Sequence, residues 1–372
     1  MRQLLELDGD ATARDFNGHG AQLYSIGGRV AIPCLPSGKF GFEPIGRGNP
    51  ILDVPIEIDN REIGHYCLSS KIEGAGITAS SATDVQKIAL IKLTRAEDFD
   101  TNGLSSMRAA MDCVVILEDE IESFLRYRAT SAAWGGFVLE ADATPLEKSV
   151  ELASTAKIEI RALGAPRTQR HKAALQRATE SSISVDRFLH LYHFLELDYD
   201  HEIVERIRAV NLENTSGLEK LLNTGRTELD RLHLIAEDYQ EIDRIEEACG
   251  SLKNFGDVPL LVFYDYGKDS NPLKDREAFI HQFIEPPTVS RAALNAIKSE
   301  RGLSVDFGKT EASYTKTIVR LACYWIYRIR CCIAHNKLGE YHLTTPEDMK
   351  FVSGFGEPLV RLLIAHRLAR IA

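Results

Sequence analysis

Ser313–Tyr341 reads SYTKTIVRLACYWIYRIRCCIAHNKLGEY, and most of it has the pattern of one long apolar helix. Between Thr317 and Ala334 polar side chains are few, and most of them are arginine. At roughly 100° per residue, Ala322, Trp325, Ile326, Ile329 and Ile333 fall on one face. Leu321, Cys323 and Tyr324 lie outside that face. The rod is therefore apolar nearly all round and is expected to sit buried among other helices. Arg328, Arg330 and His335 close it. Charges in such a place need a partner, a ligand or an interface, because an unpaired buried charge is strongly disfavoured.

The surrounding half of the chain repeats the helical theme. Gly164-Ala165-Pro166-Arg167 reads as a linker. After it, His171–Ile183, Asp186–Val210, Leu218–Leu222, Arg226–Ala248, Arg276–Ile284 and Ser290–Glu300 are predicted helices. Val258–Tyr266 (VPLLVFYDY) reads as an apolar insert in a break between Cys249 and Asn271. The central helix is expected over about 312–335, and Thr345-Pro346 leads to a closing helix over Gly356–Ile371. Residues 166–372 thus form an all-α domain.

The first half carries turn punctuation instead: Gly27-Gly28, Pro36-Ser37-Gly38, Gly46-Arg47-Gly48 and Asn49-Pro50. Short strand-like runs lie between, at Gln22–Ile26, Val30–Leu35, Phe40–Ile45, Ile51–Ile58 and His65–Ile72, with Phe137–Glu140 and Ala156–Leu163 later. Val85–Leu93 suits strand or helix. Met107–Tyr127 mixes both periods, with a helix over Asp119–Arg126. Residues 1–165 are expected to be an α+β module with a mainly antiparallel sheet. Its glycine pairs lack phosphate-loop spacing and read as turns. His19, Cys34, His65 and Cys67 match no metal-finger pattern.

The chain has 372 residues and a formal charge of −10. That balance argues against a protein that coats nucleic acid over its whole surface, but leaves room for a local basic cleft. Seven cysteines without a C-x-x-C pair suggest reduced thiols. No apolar segment near Met1 reads as a signal peptide, and no run of about 18 apolar residues reads as a membrane span. A cytoplasmic protein with no membrane partner is the expectation.

On the helix Asp186–Val210, His190, His193, Glu196 and Asp200 share one side. Histidines at i and i+3 backed by carboxylates could hold a divalent metal, but no second helix offers a matching Glu-x-x-His. A solvated polar face, or the lining of a cleft near the end of the central helix, is the simpler reading. No metal or cofactor is expected.

Arg330-Cys331-Cys332-Ile333-Ala334-His335-Asn336 resembles the motif of the HEPN superfamily, α-helical domains many of which cut RNA. That motif has an Arg, four to six residues, then a His, and commonly reads Arg-Asn-x-x-Ala-His. The bare spacing is common by chance. The flanks add specificity: an apolar helix before, Ala-His-Asn at the close, and an amphipathic helix after. The sequence departs from the pattern at Cys331, where a polar residue often stands. The resemblance covers about residues 170–372 and implies an HEPN-like helical bundle.

The resemblance further implies metal-independent RNA cleavage by a homodimer, in which two Arg/His sets form one composite cleft. His335 would move the proton and Arg330 would neutralise the phosphate, with Asn336 and Lys337 touching ribose or a flanking phosphate. Arg328 also meets the spacing. On a continuous helix it lies within about 20° of His335, against some 140° for Arg330. Flanking similarity favours Arg330 for catalysis and leaves Arg328 among the substrate-binding residues. The competing expectation is that both arginines snorkel or pair with acidic residues elsewhere in the bundle while His335 caps a helix end. A toxin or antiviral-defence effector, with the N-terminal module as a sensor or regulator that binds a ligand or protein, is the role the resemblance suggests. A non-catalytic HEPN-like protein binding RNA, a nucleotide or a partner is the alternative.

Overall fold

The computed structural model divides the chain into two compact units, residues 1–163 and 164–372. The described residues are 12–15, 22–26, 28–35, 40–41, 53–67, 85, 112–135, 139–140, 153–154, 158–181, 183–208, 227–267, 270–286, 288–301, 310–334 and 339–370.

The first unit is built on a mixed sheet. Its strands are β1 (Thr12–Asp15), β2 (Gln22–Ile26), β3 (Arg29–Leu35), β5 (Asp53–Ile58), β6 (Arg61–Cys67), β7 (Asp112–Leu117), β8 (Leu139–Glu140) and β10 (Ile158–Ile160). They run in the order β1-β2-β3-β7-β6-β5-β10, with β8 also beside β3. Every pairing in this sheet is antiparallel except β10 with β5, which is parallel. Two further short strands, β4 (Phe40–Gly41) and β9 (Ala153–Ser154), pair in parallel apart from it.

Alternation builds the core. Val30 and Ile32, Val54 and Ile56, Val114 and Ile116, and Ile158 and Ile160 join one buried cluster with Ile121 and Phe124 of helix α1 (Ile121–Arg128), as period-2 patterning demands. Cys113 and Val115 of β7 are buried as well, so this central strand is covered on both faces. Asp59 and Asn60 take positive φ, 51° and 61°, in the two-residue turn between β5 and β6; Asp and Asn tolerate that conformation better than most residues. Gly64 of β6 lies against β7 so closely that a Cβ would stand 2.2 Å from the Val115 carbonyl oxygen. After α1, the short helix α2 (Ser131–Trp134) stops at Gly135, with φ 81°. The Trp134 indole N–H donates to the Tyr127 carbonyl at 3.2 Å.

The second unit is helical. Its helices are α3 (Gln169–Glu180), α4 (Ser184–Arg208), α5 (Glu228–Ile235), α6 (Ile242–Gly250), α7 (Val258–Leu260), α8 (Arg276–Phe279), α9 (Arg291–Arg301), α10 (Glu311–Ala334), α11 (Pro346–Phe351) and α12 (Glu357–Ala369). Single π-helical turns extend three of them: Leu261–Asp265, Ile280–Ile284 and Val352–Gly356. Thr227 with Asp230 and Thr345 with Asp348 form reciprocal capping boxes at α5 and α11.

Three boundaries differ from the sequence expectation. Arg226–Ala248 is two helices, α5 and α6. Between them Tyr239 is buried against the His366 ring, and Asp238 pairs with His366 and Arg370. These tertiary contacts turn the chain where periodicity predicts continuation. The apolar stretch from Val258 is helical, α7 plus its π turn. The closing helix α12 begins at Glu357, within one residue of its expected start, but α11 and its π turn, which the sequence pattern does not predict as helix, lead into it without a break. The segment 218–222 lies outside the described residues.

α10 runs through the core of this unit, with thirteen of its residues buried. Trp325, 1% exposed, is ringed by Phe263, Phe355, Phe351 and Phe279, with centroids at 4.5, 5.0, 5.9 and 6.0 Å. Phe263 and Phe355 come from two of the π turns. Tilted and edge-on arrangements of this kind suit aromatic quadrupoles. Buried ion pairs join α4 to α12: Arg187 to Glu357 at 2.8 Å, and Arg367 to Asp198 and to Glu202, the latter at 2.6 Å. Among the described residues, no helix is long and apolar enough to cross a membrane.

Candidate functional site at the end of the central helix

Two arginines, two residues apart on α10, point in different directions, as a rotation of about 200° requires. Arg328 points inward and its side chain is fully buried. Its Nε donates to the Val262 carbonyl at 3.3 Å. Its Nη2 donates to the Tyr266 carbonyl at 2.6 Å and to Glu340 Oε2 at 2.8 Å. Burial disfavours the cation, but the Glu340 hydrogen bond and charge outweigh it and hold the pKa above its ordinary value. Arg328 therefore offers no group to a substrate, contrary to the expectation that it is a substrate-binding residue. Its guanidinium fastens α10 to the turn after α7 and to Glu340.

Arg330 lies on the side of α10 that faces α4 and α5. It pairs with Glu228 Oε1 at 2.7 Å, with 18% of its side chain and 30% of the Glu228 side chain open to solvent. Its guanidinium carbon stands 5.8 Å from the Tyr192 ring centroid, within reach of a cation–π contact. His335, Asn336 and Lys337 lie outside the described residues, so the helix is described as far as Ala334. Both expected arginines have carboxylate partners, as the competing expectation for them held.

A small, partly open cleft lies beside Arg330's partners. α4 supplies Tyr192, Leu195, Glu196 and Tyr199 to its lining, and α5 supplies Glu228, Arg231, Leu232 and Ile235. The Arg231 guanidinium sits 4.8 Å from the Tyr199 ring centroid. Burial pushes the Glu196 carboxyl above its ordinary pKa, against the opposing pull of His193 and Arg330. Burial, followed by the Glu228 and Glu196 charges, also raises the Tyr192 phenol. The cleft thus combines aromatic rings with two carboxylates and one guanidinium, that of Arg231, while Arg330 touches it through its partner Glu228.

The polar face of α4 takes part only through Glu196. His193 lies 3.8 Å from Glu196 at the surface, and His190 meets His193 edge-on at 6.1 Å. Burial, then the His193 charge, lowers the pKa of His190. Among the described residues no group of three or more His, Cys, Asp or Glu is arranged to hold a metal ion. Cys331 is buried, and burial pushes its thiol pKa up, so it stays a neutral thiol.

Sequence reasoning did not find Tyr192, Glu228 or Arg231. For Glu228 and Arg231 the local signal is the Thr227-x-x-Asp230 box, which fixes where α5 starts but not what it faces. No protein-family model, curated protein or solved structure matches the chain.

Proposed function

We propose that this chain is a metal-independent endoribonuclease of the HEPN type, working as a dimer whose site combines an Arg and a His from each copy. The observation that carries the reading is the position of Arg330. It is the one of the two motif arginines that is partly open to solvent, its partners Glu228 and Tyr192 line a cleft, and it stands four residues before the last residue of α10. The sequence Arg330-x4-His335 continues directly from that helix.

In this mechanism the ribose 2′-hydroxyl attacks the adjacent phosphorus. The P–O5′ bond breaks, leaving a 2′,3′-cyclic phosphate and a free 5′-hydroxyl. An imidazole with an ordinary pKa near 6.5 can exchange the proton at neutral pH, which is the role given to His335. A guanidinium is permanently charged and presents a planar fork of donors, which suits Arg330 to the phosphorane oxygens. Asn336 and Lys337 would contact ribose and a flanking phosphate. DNA lacks the attacking hydroxyl and would resist cleavage. The homodimer, the role as a toxin or antiviral-defence effector, and the sensing function of the first unit belong to the same proposal.

Purified protein should cut RNA in the presence of EDTA to products ending in a 2′,3′-cyclic phosphate. His335→Ala should stop cleavage while leaving the circular dichroism spectrum unchanged. Undiminished cleavage by that variant would remove the assignment. A second reading, a non-catalytic protein that binds RNA, a nucleotide or a partner at this cleft, is favoured by the Arg330–Glu228 pair, which places a carboxylate on the proposed phosphate ligand. RNA binding without product after prolonged incubation would select it.

A further inference from the structure

We infer that Glu228 is a built-in competitor for the substrate phosphate, holding Arg330 until RNA displaces it; the inference rests on the assignment of Arg330 to phosphate binding. Four observations lead to it. Glu228 Oε1 contacts Arg330 Nη2 at 2.7 Å, the short range of a charge-assisted bond. A carboxylate and a phosphate seek the same donors of a guanidinium, so the two ligands exclude each other there. The start of α5 does not use the Glu228 side chain in its capping box, since Thr227 and Asp230 supply both reciprocal bonds. Lastly, Glu228 remains 30% open to solvent, so its carboxylate can swing into water when a phosphate arrives, and the negative charge stays favoured in the first turn of a helix.

Glu196 strengthens the effect. It lines the same cleft, its pKa is influenced by both Arg330 and Glu228, and it adds a second negative charge near one guanidinium. Any polyanion approaching Arg330 therefore meets repulsion as well as an occupied donor. Resting protein would bind RNA weakly, and a change that draws Glu228 away would raise affinity without altering any residue that touches RNA.

The test compares wild type, Glu228→Gln, Arg330→Ala and the double variant, with melting curves as the folding control. Binding is measured with a fluorescent 2′-O-methyl RNA, which lacks the attacking hydroxyl, and cleavage with unmodified RNA in EDTA. Glu228→Gln should bind the probe about three- to tenfold tighter than wild type, and the gain should vanish in the double variant. Glu228→Asp keeps the charge but shortens the reach; it should shift affinity in the same direction and serves if the Gln variant melts early. Equal or weaker binding by folded Glu228→Gln, or a gain that persists without Arg330, overturns the inference. If no variant cleaves RNA yet the Arg330-dependent gain appears, competition stands and the nuclease reading falls. If wild type cleaves and Glu228→Gln binds no tighter, the nuclease reading stands and competition falls.

Discussion

The Arg328 guanidinium and the Glu340 carboxylate meet at 2.8 Å, with the arginine side chain fully buried and the glutamate 6% exposed. They join the last turns of α10 to the chain just before α11. Losing either partner strands the other as an uncompensated interior charge. Arg328→Ala and Glu340→Ala should each cost about 3–5 kcal/mol in urea unfolding. Arg328→Lys should rescue little, because an ammonium cannot reach the Val262 and Tyr266 carbonyls and Glu340 together. Wild-type unfolding midpoints would refute this role.

Arg330 should behave in the opposite way. Its pair with Glu228 is partly solvated, so Arg330→Ala should lower stability by no more than about 1 kcal/mol. If Arg330 binds the phosphate as proposed, cleavage of RNA should nevertheless fall at least about 100-fold, as loss of a donor to the developing phosphorane charge implies. A variant that unfolds easily, or that cleaves at the wild-type rate, would contradict the division of labour between the two arginines.

Acid should loosen the α4–α12 contact through Glu202. Burial alone would raise this carboxyl, but hydrogen bonds from Arg206 and Arg367 hold it down at about 2, against an ordinary 4.5. The unfolded chain then takes up a proton at higher pH than the folded one. The stabilisation is complete above pH 4.5 and is lost as pH falls from there towards 2. Glu202→Gln should be less stable than wild type at neutral pH, and the difference should shrink in denaturant titrations across that window.

His171 gives a second pH dependence. It is buried, its Nδ1 meets Thr168 Oγ1 at 2.8 Å, and its ring stands edge-on to Phe194 at 5.0 Å. Burial lowers its pKa below the ordinary 6.5, with Asp198 pulling the other way. The unfolded chain protonates first, so the contribution is full above pH 6.5 and declines as pH falls below it. In His171→Gln this part of the slope should disappear; an unchanged slope would exclude His171 as its source.

In the first unit Gly64→Ala should cost about 1–3 kcal/mol, since the added methyl would collide with backbone atoms of Val115 and Ile116, which cannot turn away, as well as with the Ile116 side chain. Chemical denaturation of the variant, compared with Gly28→Ala where no atom lies within 4 Å but φ is +70°, would separate close packing from conformational strain.

Local patterns were legible in the sequence where one segment determines its own shape. Gln22–Ile26 is a strand with those ends, and the apolar rod ends within one residue of its expected limits. The start of α11 carries a Thr345-x-x-Asp348 signature, and Gly354 and Gly356 lie in the π turn that joins it to α12. Those glycines allow tight packing against Phe255, and against Ile329 and Phe188, respectively, so they mark proximity and not a break. The site was legible only in part. Spacing singled out Arg328 and Arg330 together, but their separation into an internal fastening and a partly exposed ion pair depends on Glu340 and Glu228, which the fold supplies from elsewhere in the chain.

The chain's two tryptophans fall one in each unit. Trp134 stands beside α1 in the first, and Trp325 lies within the phenylalanine ring of the second. Each half of the chain therefore carries its own intrinsic fluorophore. With Trp134→Phe or Trp325→Phe, emission would report one half alone, so the order in which the halves melt, and whether they melt together, could be followed without an added label.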